Sequence, residues 1–196
     1  MRGMSEDRLV SAAVLIPVKA FGTAKRRLSP ALDAADRRRL ARDLATQVLE
    51  AAGSLPVAVV CDDAEVADWA RQYGARVISE PGRGLNGAVA EGVHQLAASG
   101  FEMVVIAHAD LPLARDLAWV AGFDGVTIVP DRHDDGTNVL GVPAASAFRF
   151  GYGPASFKRH VDEAGRLGLP VRIIREAHLG WDIDVPADLQ VLSARG

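Results

Sequence analysis

Ala12-Ala13-Val14-Leu15-Ile16-Pro17-Val18-Lys19 is an apolar run that stops at a lysine, and Ala20-Phe21-Gly22-Thr23-Ala24-Lys25-Arg26-Arg27-Leu28 follows it as a basic loop. So short a run reads as a buried strand, since a membrane span needs ~20 apolar residues. Behind the loop, Ser29-Pro30 and Asp33 offer helix starts. Leu40, Leu44, Val48 and Ala51 then recur at four- and three-residue spacing up to Gly53, the stripe of a helix packed on a sheet. A strand with a helix laid back on it is the repeating unit of a parallel sheet, and the chain repeats it. Val57–Cys61 is the second strand, with Asp62 or Asp63 capping a helix that runs to Tyr73 and stops at Gly74. Arg76–Ser79 is the third strand; a glycine-rich turn over 81–87 leads from it into a helix ending near Gly100, and Met103–Ala107 is a fourth, wholly apolar strand.

The second half is less regular. Short strands are expected over 125–129 and 139–142, separated by a polar loop over 130–138. Pro154 suits the first turn of a helix reaching about Gly165, 171–175 reads as a late strand, and Pro186 opens a terminal helix. The expectation is an α/β fold, Rossmann-like, with a mostly parallel (mixed) sheet and helices on both faces. Residues 1–196 form a single domain, with 1–11 a flexible N-terminal extension. In such sheets ligands bind beyond the carboxyl ends of the strands, which selects the loops after Val18, Ser79, Ala107, Val129 and Arg175.

With 49% hydrophobic and 24% charged residues and a net charge of −3, the composition is that of a globular protein. That charge disfavours a nucleic-acid or membrane-surface partner but permits a local basic pocket. The polar start, without an apolar signal segment, points to the cytoplasm. Cys61 is the sole cysteine, so neither an intrachain disulfide nor a thiolate zinc cluster is available.

The chain has three lysines, and Lys19 and Lys25 are both in the first loop with Arg26 and Arg27 beside them. Such cations neutralise a triphosphate and a pyrophosphate leaving group, although a solvated basic loop has the same composition. No P-loop sequence is present. Gly82-Arg83-Gly84-Leu85-Asn86-Gly87 matches the dinucleotide fingerprint, but in the third strand–helix turn rather than the first. Gly84, Leu85 and Asn86 serve equally well to admit a base and ribose close to the backbone, with the Asn86 amide free for a base edge. Asp110 follows the fourth strand, and Asp182 and Asp184 precede the last helix. Mg²⁺ is commonly held by one or two carboxylates plus substrate phosphates, which suits Asp110 and Asp184; a helix cap is the other role open to Asp184. The loop with Asp131, Asp134 and Asp135 is too acidic to hold an anion unaided, so a metal or a backbone nest is called for. Gly153-Pro154-Ala155-Ser156 precedes helical amides that, with the Ser156 hydroxyl, form an anion site or a plain cap.

Taken together, Ile16-Pro17-Val18-Lys19, Ala24-Lys25-Arg26-Arg27-Leu28, Gly84-Leu85-Asn86, Ala109-Asp110-Leu111-Pro112, Asp135-Gly136-Thr137-Asn138, Gly153 to Ser156 and Asp182-Ile183-Asp184 resemble the 2-phospholactate or phosphoenolpyruvate guanylyltransferases of coenzyme F420 biosynthesis. The resemblance covers almost the whole chain. It implies a nucleotidyltransferase fold similar to that of the molybdenum-cofactor guanylyltransferases, GTP as donor and a phosphorylated three-carbon acid as acceptor. It also implies that Thr137, Gly153 and Ser156 bind the acceptor, and that Asp182 can stand in for Asp184 at the metal. The Leu-x-Gly-Gly-x-Ser-x-Arg-Met-Gly opening of the wider superfamily is absent, and the lysine pattern stands in its place. A homodimer is compatible with the sequence. Competing expectations are a related transferase with another acceptor or base, an NAD-binding oxidoreductase using Gly82 to Gly87, and a non-catalytic GTP-binding module.

Overall fold

The computed structural model describes residues 11–80 and 82–193; the expected N-terminal extension, Ser11 excepted, and Pro81 of the glycine-rich turn lie outside the described residues. Seven strands join one sheet: β1 (Ala12–Pro17), β2 (Val57–Cys61), β3 (Arg76–Ser79), β4 (Met103–Ala107), β5 (Val126–Pro130), β6 (Thr137–Pro143) and β7 (Val171–Ile173), in the spatial order β3-β2-β1-β4-β6-β5-β7. The first four pair in parallel, with β1 central to them. β6 runs antiparallel to both β4 and β5, and β7 is parallel to β5. This is the mixed, mostly parallel sheet expected.

Both faces are covered, which is why β1 is apolar without alternation. Val14 and Ile16 point to one core with Val48 of α1 (Ala34–Glu50) and Trp69 of α2 (Ala64–Gln72). Ala13 and Leu15 point to the other, with Val89 of α3 (Gly84–Ala98) and Ala164 of α4 (Ser156–Arg166). A Cβ on Gly92 would meet Leu15 Cδ2 at 2.6 Å, so glycine lets α3 approach β1 more closely than any side chain would allow. Helix starts follow the caps: Asp33 accepts from the Asp36 amide, and Asp63, not Asp62, accepts from that of Val66.

The departures lie mainly in the second half. β6 begins at Thr137, two residues before the expected strand, because its ladder with β5 extends into the polar loop, where Thr137 pairs with Pro130. α4 starts at Ser156, so Pro154 lies outside it; Ala155, at φ 57°, interrupts the helical path. α3 begins at Gly84, which places Gly84, Leu85 and Asn86 in its first turn. β7 stops at Ile173, since Arg175 turns away to pair with Asp134 at 3.0 Å. A short helix, α5 (Ala177–Gly180), and a 3₁₀ turn, Ala118–Ala121, were not expected, and the last segment is a 3₁₀ turn, Pro186–Leu189, continued by α6 (Gln190–Ser193).

Because β6 runs backwards, its amino end lies at the same sheet edge as the carboxyl ends of its neighbours: Val139 pairs with Ala107 and Thr137 with Pro130. One edge therefore collects the loops after β1, β3, β4 and β5, together with the start of β6.

Candidate functional site

The basic loop after β1 is pinned by its apolar residues. Two 3₁₀ turns, Phe21–Thr23 and Arg26–Leu28, bury Phe21 and Leu28. Phe21 packs edge-on to Trp69, with ring centres 5.4 Å apart. Between the turns Lys25 adopts φ 55°, a left-handed conformation costly for a residue with a Cβ. Its side chain is 10% exposed; Nζ donates to Asp110 Oδ2 at 2.8 Å and to the Ile183 carbonyl at 2.5 Å. Lys19 is exposed and, among the described residues, has no ion-pair partner. One lysine is thus built into the site and the other remains available for an incoming anion.

The three expected carboxylates converge. Asp110, Asp182 and Asp184 each offer an oxygen, and these atoms lie within 4.8 Å of one another. Among the described residues Asp110 Oδ1 is buried with no hydrogen-bond partner, although Oδ2 has Lys25. A buried carboxylate oxygen left open beside two other carboxylates suits a hard divalent cation. Burial pushes the Asp110 carboxyl up, but Lys25 and His108 beside it hold it below its ordinary value overall. Burial first, then the Asp110 charge, push Asp182 up to about 6. Three carboxylates crowded together without a cation repel one another, and a divalent ion would relieve this.

Asp184 is not the cap of the final helical segment. Asp188, 2% exposed, takes that work: its Oδ2 accepts from the Asp184 and Val185 amides at 2.7 and 2.8 Å. Its Oδ1 accepts from Arg132 at 2.6 Å, and Arg132 also donates to the Asp182 carboxylate and carbonyl at 3.3 Å while lying over the Trp181 ring. The Asp184 side chain is left to the solvent-exposed Arg27 at 3.0 Å. Arg132 and Asp188 were not anticipated from sequence. A carboxylate three residues past Val185 could have been read as a capping acid, whereas nothing near Arg132 in the chain marks it.

A cleft of ≈ 590 Å³ is lined by Lys19, Lys25, Arg26, Gly84, Leu85, His108, Asp110 and Asp184, among others. It joins the basic loop, the start of α3 and two of the carboxylates. Asn86 departs from expectation: its Oδ1 accepts from the Tyr152 amide at 2.7 Å and its Nδ2 faces the Tyr152 carbonyl at 3.5 Å. Its amide fastens the 150s loop to α3, and the backbone of Gly84 and Leu85 is what this turn presents to the cleft.

Thr137, Gly153 and Ser156 do not line that cleft; Gly153 and Ser156 share the turn before α4, and Thr137 meets α4 through His160. Thr137 and Ser156 are each 2% exposed, Gly153 takes φ +113°, and its carbonyl accepts from the Ser156 amide at 3.0 Å. The acidic loop before Thr137 is internally satisfied. Asp131 accepts from the amides of His133, Asp135 and Gly136, a backbone nest, and Asp135 accepts from the Ala155 amide at 3.1 Å at the start of α4. Part of the expected anion site at α4 is therefore already filled by the protein's own carboxylate.

His160 is buried behind Thr137 and takes Gly151 N–H on Nε2 at 3.1 Å. Burial, with His108 and Arg159 adding to it and Glu163 opposing, pushes its pKa from 6.5 down to about 4. The unfolded chain therefore binds one more proton than the folded one between about pH 4 and 6.5, and stability rises with pH across that window. Denaturant unfolding is expected to show this slope in the native protein, and a flatter one by up to one proton in His160→Asn. An unchanged slope would assign the pH dependence elsewhere.

The family model and the curated relatives make this chain one of the nucleotidyltransferases, and its fold recurs in solved structures. The fold is shared with a nucleotide-diphospho-sugar transferase structure from Desulfovibrio desulfuricans (TM-score 0.74, 18% identity, 94% of this chain and 87% of that one). It is also shared with the 2-C-methyl-D-erythritol 4-phosphate cytidylyltransferase of Thermus thermophilus (TM-score 0.60, 18% identity, 94% and 98% covered). The chain belongs to the family described as guanylyl transferase CofC like, which it matches over residues 12–196. It is similar to the phosphoenolpyruvate guanylyltransferase of Sphaerobacter thermophilus, at 36% identity over 94% of this chain and 93% of that protein. It is also similar to the 2-phospho-L-lactate guanylyltransferase of Methanothermobacter thermautotrophicus, at 32% over 95% and 86%. These likenesses favour the transferase reading over the dinucleotide-binding one. No helix among the described residues is long and apolar enough to cross a membrane.

Proposed function

We propose that this protein transfers GMP from GTP to the phosphate of phosphoenolpyruvate, or of 2-phospho-L-lactate, with release of pyrophosphate, as a cytoplasmic step in coenzyme F420 biosynthesis. The observation that carries the reading is the meeting, in one cleft, of a basic loop with Asp110 and Asp184, Asp182 completing the carboxylate cluster. Guanine and the three-carbon acid come from the names of the relatives, and phosphoenolpyruvate is preferred because it is named for the relative quoted at the higher identity.

Lys19 and Arg26, without an ion-pair partner among the described residues, are assigned to the triphosphate, with the backbone of Gly84 and Leu85 against the nucleoside. Thr137, Gly153 and Ser156 are assigned to the acceptor. The acceptor's phosphate, whose second pKa lies near ~6, is already largely dianionic at neutral pH and needs no protein base. Its oxygen forms a bond to the α-phosphorus while the bond to the bridging oxygen of the β-phosphate breaks, and pyrophosphate leaves with that electron pair. The protein's task is to bring two anions together and offset their charge. Asp110, Asp182 and Asp184 would hold Mg²⁺, which supplies charge neutralisation to the phosphates when bound.

Incubation with GTP, Mg²⁺ and each acid, followed by pyrophosphate detection and product mass, decides the matter. Pyrophosphate together with a guanylylated phosphoenolpyruvate is expected, and ATP, CTP and UTP should give little. No pyrophosphate with any phosphorylated three-carbon acid would overturn the reading, and its release with another base would reassign the donor.

A further inference from the structure

His160 makes two hydrogen bonds whose directions are fixed by chemistry. A backbone amide can only donate, so the Gly151 N–H at 3.1 Å requires Nε2 to carry no proton. The neutral imidazole has one proton, which must then be on Nδ1, and Nδ1 lies 3.0 Å from Thr137 Oγ1. Thr137 Oγ1 is the acceptor of that bond. Its own hydroxyl proton has no acceptor among the described residues.

The surroundings hold this arrangement. His160 is fully buried, with the Tyr152 ring edge-on at 4.8 Å and the Phe148 ring at 5.9 Å. The loop that supplies Gly151 is tied down by Arg159, which donates to the Gly151 carbonyl at 2.8 Å, and by Asn86 on Tyr152. Burial keeps the ring neutral at working pH. Thr137 opens β6, and the carbonyl of the next residue, Asn138, accepts from the His108 amide at 3.0 Å, two positions before Asp110.

We propose that His160 is a positioning residue for the acceptor: Nδ1–H occupies the Thr137 oxygen and so directs the threonine hydroxyl proton to an anionic oxygen of the bound acid. This rests on the proposed function, since it assumes an acidic acceptor at Thr137. The bland account is a core histidine that merely joins two loops, and acceptor affinity separates the two.

Nitrogen-15 histidine spectra of the native protein should show His160 protonated at Nδ1 and bare at Nε2. In His160→Phe the KM for phosphoenolpyruvate should rise roughly ten- to a hundredfold, the usual value of a hydrogen bond to a charged group, with the KM for GTP within about twofold. Thr137→Val should do the same, and the double variant should lose little more. His160→Asn, whose amide can stand in for Nδ1–H, should recover most of the affinity. Protonation at Nε2, an unchanged acceptor KM in folded His160→Phe, or additive losses would each overturn the inference. If His160→Phe does not fold, the spectrum and the asparagine variant decide. If the native protein makes no pyrophosphate with any such acid, the proposed function falls, while the spectrum still settles where the His160 proton lies.

Discussion

Asp110→Asn is expected to lower turnover with GTP and Mg²⁺ by roughly a thousandfold, the scale of losing several kcal/mol of charge stabilisation at a metal-assisted phosphoryl centre. The reasoning is local. Asp110 is the one carboxylate of the three with a buried, unpartnered oxygen, and its other oxygen is fixed by Lys25. Asparagine keeps the shape and an acceptor for Lys25 but removes the charge from the centre of the cluster. Its backbone tie, the Ile183 amide donating to the residue 110 carbonyl at 3.2 Å, is untouched. The fold should therefore persist, and Mn²⁺ bound in the absence of nucleotide, followed by electron spin resonance, should weaken in step with turnover. Near-native turnover, or unchanged Mn²⁺ binding, would remove Asp110 from the metal site.

Lys25→Met is the second large effect, and it should appear in both activity and stability. The ammonium is nearly buried between the Asp110 carboxylate and the Ile183 carbonyl, so it ties the β1 loop to the two segments that carry the acidic cluster. Removing it leaves the Asp110 charge uncompensated. Because the pair is only partly buried, the cost is about 1–3 kcal/mol rather than the larger penalty of a fully buried pair. Turnover should fall about a hundredfold or more, as when one fixed charge donor is lost from a phosphoryl-transfer site. The Asp110 carboxyl should also titrate higher, since the charge opposing its burial is gone. Lys25→Arg is not expected to rescue activity, because the planar guanidinium does not fit two acceptors spaced for a single ammonium. Thermal melts and steady-state rates check both parts. A stable Lys25→Met protein of native activity would show the lysine to be dispensable.

The first half of the fold was legible because its strands are buried on both faces and its helices are amphipathic. β2, β3 and β4 fall where their apolar runs begin and end. The second half was less legible because β5 and β6 form an antiparallel pair whose polar ends read as loop, and because Ala155 delays to Ser156 the helix start that Pro154 suggested. Asn86 shows the same limit at the site. Its type suggested a base contact, and its position next to the 150s loop gave the amide a different partner, the Tyr152 backbone.

What the sequence by itself determined is the alternation of strand and helix, and a set of cations and carboxylates placed just past strand ends, because apolar periodicity and residue type are local properties. What only the tertiary structure decided is which of those residues meet. Lys25 reaches Asp110, eighty-five positions along the chain, Arg132 reaches Asp188, and His160 reaches Thr137. The first meeting follows from β1 and β4 lying side by side in parallel, and the last from β6 reversing direction and bringing its polar start to the end of the sheet where β4 finishes; strand order and direction are set by packing across the whole sheet rather than by any stretch of residues within it.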